Sequence, residues 1–401
     1  MKILMVTLGF YPAISWGGPV KIVHQEGVEL ICRGHEVTVY CSNLFDKRRQ
    51  IQPRTFEREV DGMRVVYFDT WWLPWWPGTL GPIWLPSLPS HLGREIVDFD
   101  VIHLHAARNL MVIPVAQAAR KNCVPLVVQP HGGMQIIVNT FFLKRVYDSL
   151  LGEQELKGIS ALIALQESER QQALARGVPD ERIEIIPNGL DLSQYSEMPK
   201  VGIFKERFEI PDDRLLILFL GRVNKKKGVD MLVEAFSRLE NLNAHLAIVG
   251  PDDGQLEEVT RLIREYKLEK WVTFTGLLSG DNVSSAYQDA DLFVLPCRTD
   301  TFPTTIMEAC LFNTPMVITE GCESAYLVKD KVADVVPFDV SIFADAMERL
   351  LTERDRYERY KASCQVLMKE EFSIGSAVDR LESLYERVIS EKQTKRNAIE
   401  N

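Results

Sequence analysis

Arg222 and Lys227 lie in the segment GRVNKKKGVD (221–230), between an apolar run, LLILFLG (215–221), and a helical pattern that starts at Val229. Two cations beside a helix N-terminus, with Gly228 freeing the backbone at the helix start, form an anion site suited to a diphosphate. A solvated basic turn is the competing reading, since Lys225 and Lys226 add charge of their own. Three consecutive lysines in an otherwise acidic half of the chain weigh against it. The segment is not a P-loop, because it lacks G-x-x-x-x-G-K-[ST]. A second set lies in PCRTDTFPTTIMEACLFNTPMV (296–317), where seven residues separate Asp300 from Glu308. Asp300 falls in the loop after an apolar run, and Glu308 falls inside the helix expected next. Carboxylates placed this way can accept pairs of hydroxyl hydrogens from a sugar or a ribose. A capping Asp with a surface Glu is the alternative. Glu308 precedes Ala309 and Cys310 within an apolar run, so it is expected to face inward and to need a partner.

These residues need elements to hold them, and the sequence supplies a repeating grammar. KILMVT (2–7) is a continuous apolar run, as a buried parallel strand requires. A helix is expected over 20–33, then strands near 36, at 63–68, 101–105, 125–129, 161–165 and 183–187. After an irregular stretch from 188 to about 200 the grammar restarts, with strands at 215–221, 245–250, 271–276, 291–296 and 315–319. Val229, Leu232, Val233, Phe236 and Leu239 share one helical face. Strand and helix alternate in both halves, which predicts two doubly wound α/β domains of Rossmann-like type. The expected boundaries are 1–195 and 196–372, with a long helix over 373–393 completing the first domain. Ligands bind at the C-terminal edges of such sheets, so the cleft between the domains is the expected site.

Composition narrows the function classes. Of 401 residues, 46% are hydrophobic and 25% charged, which excludes disordered, collagenous and disulfide-framework chains. The net charge of −10 argues against nucleic acid as a partner. Residues 1–190 carry 19 basic and 19 acidic side chains, so the whole excess lies in the C-terminal half. Seven scattered cysteines without C-x-x-C read as buried thiols of a reducing, cytoplasmic compartment. No run of 18 apolar residues suggests a transmembrane helix.

From Gly221 to Pro315 the chain resembles the retaining glycosyltransferases of family four, which have the two-domain GT-B fold. The matching pieces are G-R-x4-K-G, HLAIVG, VTFTG, AYQDADLFVLP, DTFPTTIMEA and TPMV, in family order. Gly17-Gly18, RGHEVTV, PHGG (130–133) and IIPNGLD (185–191) extend a weaker match across the first half. The resemblance implies a nucleotide-sugar donor and a glycan or lipid-linked acceptor, in envelope or exopolysaccharide assembly. It implies that Arg222 and Lys227 hold the donor diphosphate, and that Glu308 binds the nucleotide ribose. Asp300, where the family usually has Glu, would contact the donor sugar. The segment from Phe302 through Thr304 and Thr305 to Ile306 would offer backbone N–H groups, of which Pro303 has none. His131 matches a histidine near the reacting sugar, and Gly17 and Gly18 match a loop that approaches the diphosphate. A turn-capping role for His131 and an ordinary turn at the glycines are the alternatives. His103 and His105 could contact an acceptor, but satisfied structural histidines are the favoured reading.

No D-x-D follows a strand and no Cys/His cluster is visible, so neither a metal nor another cofactor is expected. The resemblance implies retention, and with no evident nucleophile that reads as front-face attack. A nucleotide-sugar epimerase of the same fold and a non-catalytic nucleotide-sugar-binding partner are the competing functions. One feature lies outside the family pattern: five of seven tryptophans fall in TWWLPWWPGTLGPIW (70–84). Prolines and glycines break regular structure there, so Trp71, Trp72, Trp75, Trp76 and Trp84 are expected at an exposed edge. Indoles of that kind suit a membrane interface or sugar stacking, and peripheral contact at the inner face of a membrane is the expectation. A self-packed aromatic loop is the alternative. Phe141-Phe142 followed by Lys144 and Arg145 is a weaker hint of the same kind.

Overall fold

In the computed structural model the chain forms two compact units, Met1–Asp191 with Ser373–Asn401, and Leu192–Phe372. The structure describes residues 1–400 except 14–17, 47–48, 73–82, 107–108, 132–155, 157, 192–197, 240 and 301–303. For Gly18 and residues 395–400 it describes the backbone alone.

The first unit is built on eight strands: β1 (Lys2–Thr7), β2 (Glu36–Ser42), β3 (Phe56–Val60), β4 (Met63–Phe68), β5 (Val101–His105), β6 (Leu126–Val128), β7 (Ala161–Ala164) and β8 (Ile183–Ile185). Their order across the sheet is β3-β4-β2-β1-β5-β6-β7-β8, and every pairing is parallel except β3 with β4. The central strands are apolar on both faces because helices cover both. Leu4 and Val6 enter one core, and Ile3 and Met5 the other. β3 was not expected. Only Phe56 and Val60 of FEREV pack against the core, with Arg58 between them, and the strand exists as a hairpin edge turned at Asp61-Gly62, both at positive φ.

The last helix, Ile374–Glu400, packs on the first unit. Val378, Leu381 and Tyr385 enter the core beside Ile3 and Met5. Arg33 donates to Asp379 and Glu382, each at 2.6 Å. Gly189 admits the helix start, since a Cβ there would lie 2.6 Å from the Ile374 Cα.

The second unit holds six parallel strands: β9 (Leu215–Leu220), β10 (Ala244–Val249), β11 (Val272–Gly276), β12 (Leu292–Leu295), β13 (Met316–Thr319) and β14 (Ala333–Val336). They are ordered β11-β10-β9-β12-β13-β14. Chain order reverses between β9 and β12 here, and between β1 and β5 in the first sheet. At such reversals the loops leaving neighbouring strands diverge and open a crevice at the strand ends. β9 runs into Arg222 and Lys227, β12 into Asp300, and β5 ends on His105.

Candidate active site

In the second unit the chain leaves β9 and makes a single 3-10 turn, Lys225–Lys227, before the helix Val229–Phe236. Asn224 caps that turn, its side chain accepting from the Lys227 N–H at 3.1 Å. Gly228 joins turn to helix at φ +68°, and a Cβ there would lie 2.0 Å from the Pro296 carbonyl oxygen. The turn therefore lies directly against the exit of β12. Arg298 fastens the two: it donates to Asp230 at 2.9 and 2.7 Å and to the Lys225 carbonyl at 2.7 Å. Burial works against the Asp230 charge, but Arg298 outweighs it and holds the carboxyl below its ordinary value.

The Lys227 ammonium donates to the Asp300 carboxylate, and both side chains are largely covered. Asp300 is fixed through its backbone, its N–H bonding Gly321 at 2.9 Å and its carbonyl accepting from Glu323 at 2.8 Å. Arg222 is two-thirds exposed and donates to Asp253 at 3.0 Å, where Asn224 also donates at 2.8 Å. The partners Asp253, Asp230 and Arg298 escaped sequence reasoning, because their pairings cross between strand exits far apart in the chain.

Glu308 sits in the helix Thr304–Leu311 and accepts a 3.0 Å hydrogen bond from the Tyr287 hydroxyl. Tyr287 is buried and stacks on Phe312 at 5.7 Å, so the partner is rigid. Thr304 is half-buried at the helix start; Thr305 is buried, and its hydroxyl has no partner among the described residues. Phe302 and Pro303 lie outside the described residues.

The first unit places His131 just past β6 at φ +49°, its Nε2 3.1 Å from His105 Nδ1. Burial lowers the His131 pKa to about 4, so the ring is neutral near pH 7. Gly18 opens the helix Gly18–Cys32, and Gly17 lies outside the described residues. His103 and His105 differ from the expectation of satisfied structural histidines. Both are buried, and although each Nδ1 has a partner, among the described residues the Nε2 of neither has a hydrogen bond of good geometry. The sequence reading also missed one cluster with metal-ligating groups. Glu26, on the same helix as Val23 and Leu30, faces both histidines, and the three could together hold an ion. A carboxylate at that point of an apolar helical face was visible in the sequence.

Two family models divide the chain between them. Residues 17–189 match the glycosyl transferase 4-like domain, and residues 202–367 match glycosyl transferases group 1. The chain belongs to the family-four type of glycosyltransferase. It is 27% identical over 325 residues to the alpha-D-kanosaminyltransferase of Streptomyces kanamyceticus, covering 78% of this chain and 83% of that one. It is also 27% identical over 331 residues to D-inositol 3-phosphate glycosyltransferase 1 of Catenulispora acidiphila, covering 76% and 77%. Among solved structures it resembles Anabaena HepE in complex with UDP, with a TM-score of 0.73 and 17% identity over 96% of this chain and all of that one. A Rickettsia africae glycosyltransferase aligns with the same TM-score at 15% identity, over 97% and 98%. The fold of this glycosyltransferase is GT-B.

The tryptophan segment of the glycosyltransferase is mixed rather than uniformly exposed. Trp71 is 70% and Trp84 38% exposed, and the two pair backbone to backbone, with both N–H···O distances 2.9 Å. Trp72 is partly buried against the core formed by Val66, Phe68 and Leu88, which corrects the expectation for that residue. Trp75 and Trp76 lie outside the described residues. Among the described residues no helix is long and apolar enough to cross a membrane.

Proposed function

We propose that this glycosyltransferase moves a sugar from a nucleotide-diphosphate donor to a glycan or lipid-linked acceptor, with retention of configuration, in envelope or exopolysaccharide assembly. The observation that carries the donor half is the Lys227–Asp300 ion pair where the second sheet reverses its order. A diphosphate entering there offers Lys227 stronger acceptors and takes it from Asp300. The carboxylate is then free to accept from sugar hydroxyls, so phosphate capture and sugar capture are coupled. Arg222 exchanges Asp253 for the diphosphate in the same way. Both cations then answer the charge that grows on the leaving group, where a divalent ion would otherwise stand. HepE, which shares the fold, has been crystallised with UDP and with UDP-glucose, consistent with such a donor. Both family models describe glycosyl transferases, which favours transfer over the epimerase reading.

Glu308 accepts the ribose hydroxyls while Tyr287 keeps its own bond to the carboxylate. Titrating UDP, GDP and ADP calorimetrically identifies the base. Glu308→Gln then weakens the cognate nucleotide about ten- to a hundredfold, the loss of one charge-assisted contact of about 1.5–3 kcal/mol. Gln still accepts from Tyr287, so the fold survives the change. Wild-type affinity in Glu308→Gln would remove the residue from the site. No binding of any of the three nucleotides would favour a non-catalytic protein.

We further propose that Trp71 and Trp84 meet a membrane surface near the acceptor. Their rings are exposed while their backbones are held to each other, a geometry that presents indole without needing it for the core. Replacing both by Ser keeps the backbone pairing and leaves Trp72 in place. The double variant should remain folded yet lose most of its co-sedimentation with anionic vesicles. Unchanged sedimentation, or unfolding, would rule the membrane role out.

A further inference from the structure

Glu26, His103 and His105 are not needed for the donor contacts proposed above, and the first unit buries all three around a common point. Their ligand atoms lie within 4.8 Å of one another, and Glu26 Oε2 is 3.9 Å from His105 Nε2. His103 and His105 are two apart on β5, so they project from the same face of the sheet. Glu26 comes down on that face from the helix Gly18–Cys32. We propose that Glu26 Oε2, His103 Nε2 and His105 Nε2 bind one divalent transition-metal ion of the zinc class. This inference is independent of the donor site and of the reaction proposed above.

The outer partners fix the rings for that role. His103 Nδ1 is 2.7 Å from the Tyr385 hydroxyl, and His105 Nδ1 is 3.1 Å from His131 Nε2. In the tautomer with each Nδ1–H donating outward, which both outer partners can accept, each Nε2 carries its lone pair inward. This is the arrangement by which an imidazole ligand is oriented through its second nitrogen. Among the described residues none of the three inward atoms, all buried, has a hydrogen bond of good geometry, although the Gln129 side chain lies beside His103. Three acceptors cannot satisfy one another, and a single proton on Glu26 would serve only one of the histidines. A cation satisfies all three.

Two imidazole nitrogens and one carboxylate oxygen suit zinc, not magnesium or calcium. Bonds of about 2.0–2.1 Å place tetrahedral ligand atoms about 3.4 Å apart, so the cluster closes by on the order of one ångström around the ion. Water, or the buried Gln129 side chain beside His103, takes the fourth position.

The test uses the full chain, produced in zinc-supplemented medium and dialysed against metal-free buffer. Elemental analysis should find about one zinc per chain, and Glu26→Leu should reduce it to less than about a tenth of that. Leu suits this buried helical position and removes an uncompensated carboxyl, so the variant should still fold by circular dichroism. Cobalt alone, added to metal-stripped wild type, should give the visible bands of a four-coordinate ion, and these should be missing from Glu26→Leu. Wild type that holds neither zinc nor cobalt would overturn the site, whether or not the variant folds. Unchanged zinc in a folded Glu26→Leu would overturn it equally.

Discussion

Lys227→Ala should lower turnover about a hundred- to a thousandfold, the usual cost of removing one donor aimed at charge that develops in a transition state. The loss should fall mainly on kcat, because leaving-group charge is greater at the transition state than in the bound donor. Some structural cost is expected as well, because both side chains are largely covered and the change leaves Asp300 without its cation, so circular dichroism and urea unfolding accompany the kinetics. The Asn224 cap bonds the Lys227 backbone rather than its side chain, so the turn keeps its shape. Nucleotide release is measured with whichever of the UDP-, GDP- and ADP-sugars the wild type consumes. On the proposed reading, in which Arg222 and Lys227 bind the diphosphate, adding Mg²⁺ should neither speed the wild type nor rescue the variant. Turnover within about twofold of wild type in Lys227→Ala would remove Lys227 from the mechanism. Rescue by Mg²⁺ would show that a metal shares its role.

Gly228→Ala should strongly destabilise the second unit. At φ +68° an L-residue costs about 1–2 kcal/mol. The added Cβ would also lie 2.0 Å from the Pro296 carbonyl oxygen and 2.9 Å from the Phe338 ring. Neither the strand exit nor the turn can move without disturbing Arg298 and its bonds to Asp230. Overpacking of this sort adds about 1–3 kcal/mol, for a total of about 3 kcal/mol or more. Gly254→Ala is the control. Gly254 also has a positive φ, +93°, but nothing lies within 4 Å of its missing Cβ, so it carries the conformational cost alone. Urea unfolding should place Gly228→Ala well below Gly254→Ala in stability, with donor binding weakened as well. Equal losses in the two variants would show that close approach at Pro296 contributes nothing.

The elements legible in the sequence were those in which one local pattern decides the outcome. β1, β9 and β12 are short apolar runs between turns, and runs buried on both faces need no knowledge of their neighbours. β3 was not legible, because Glu57, Arg58 and Glu59 separate its two core-facing residues, Phe56 and Val60, and its pairing comes from the hairpin. Arg222, Lys227, Asp300 and Glu308 were legible as groups that could bind a donor, through charge placed at strand ends. Their resting partners were not. Nothing near Arg222 in sequence points to Asp253, and Tyr287 reads as one more core aromatic until the helix carrying Glu308 lies beside it. Glu26 is different: it breaks an apolar helical stripe, which marks a buried acid, while the histidines that explain it arrive from a strand far along the chain.

The return of the final helix to the first unit gives the chain an order of assembly. On the ribosome, residues 192–372 emerge as one uninterrupted stretch, so the second unit has all its parts while synthesis continues. The first unit begins earlier and is completed later. Until Tyr385 is made, His103 lacks its hydroxyl partner, and until Val378 and Leu381 arrive, the core around Ile3 and Met5 stands open on one side. A chain that stops after Phe372 therefore keeps a complete second unit, while the damage falls on a first unit whose own strands are all present.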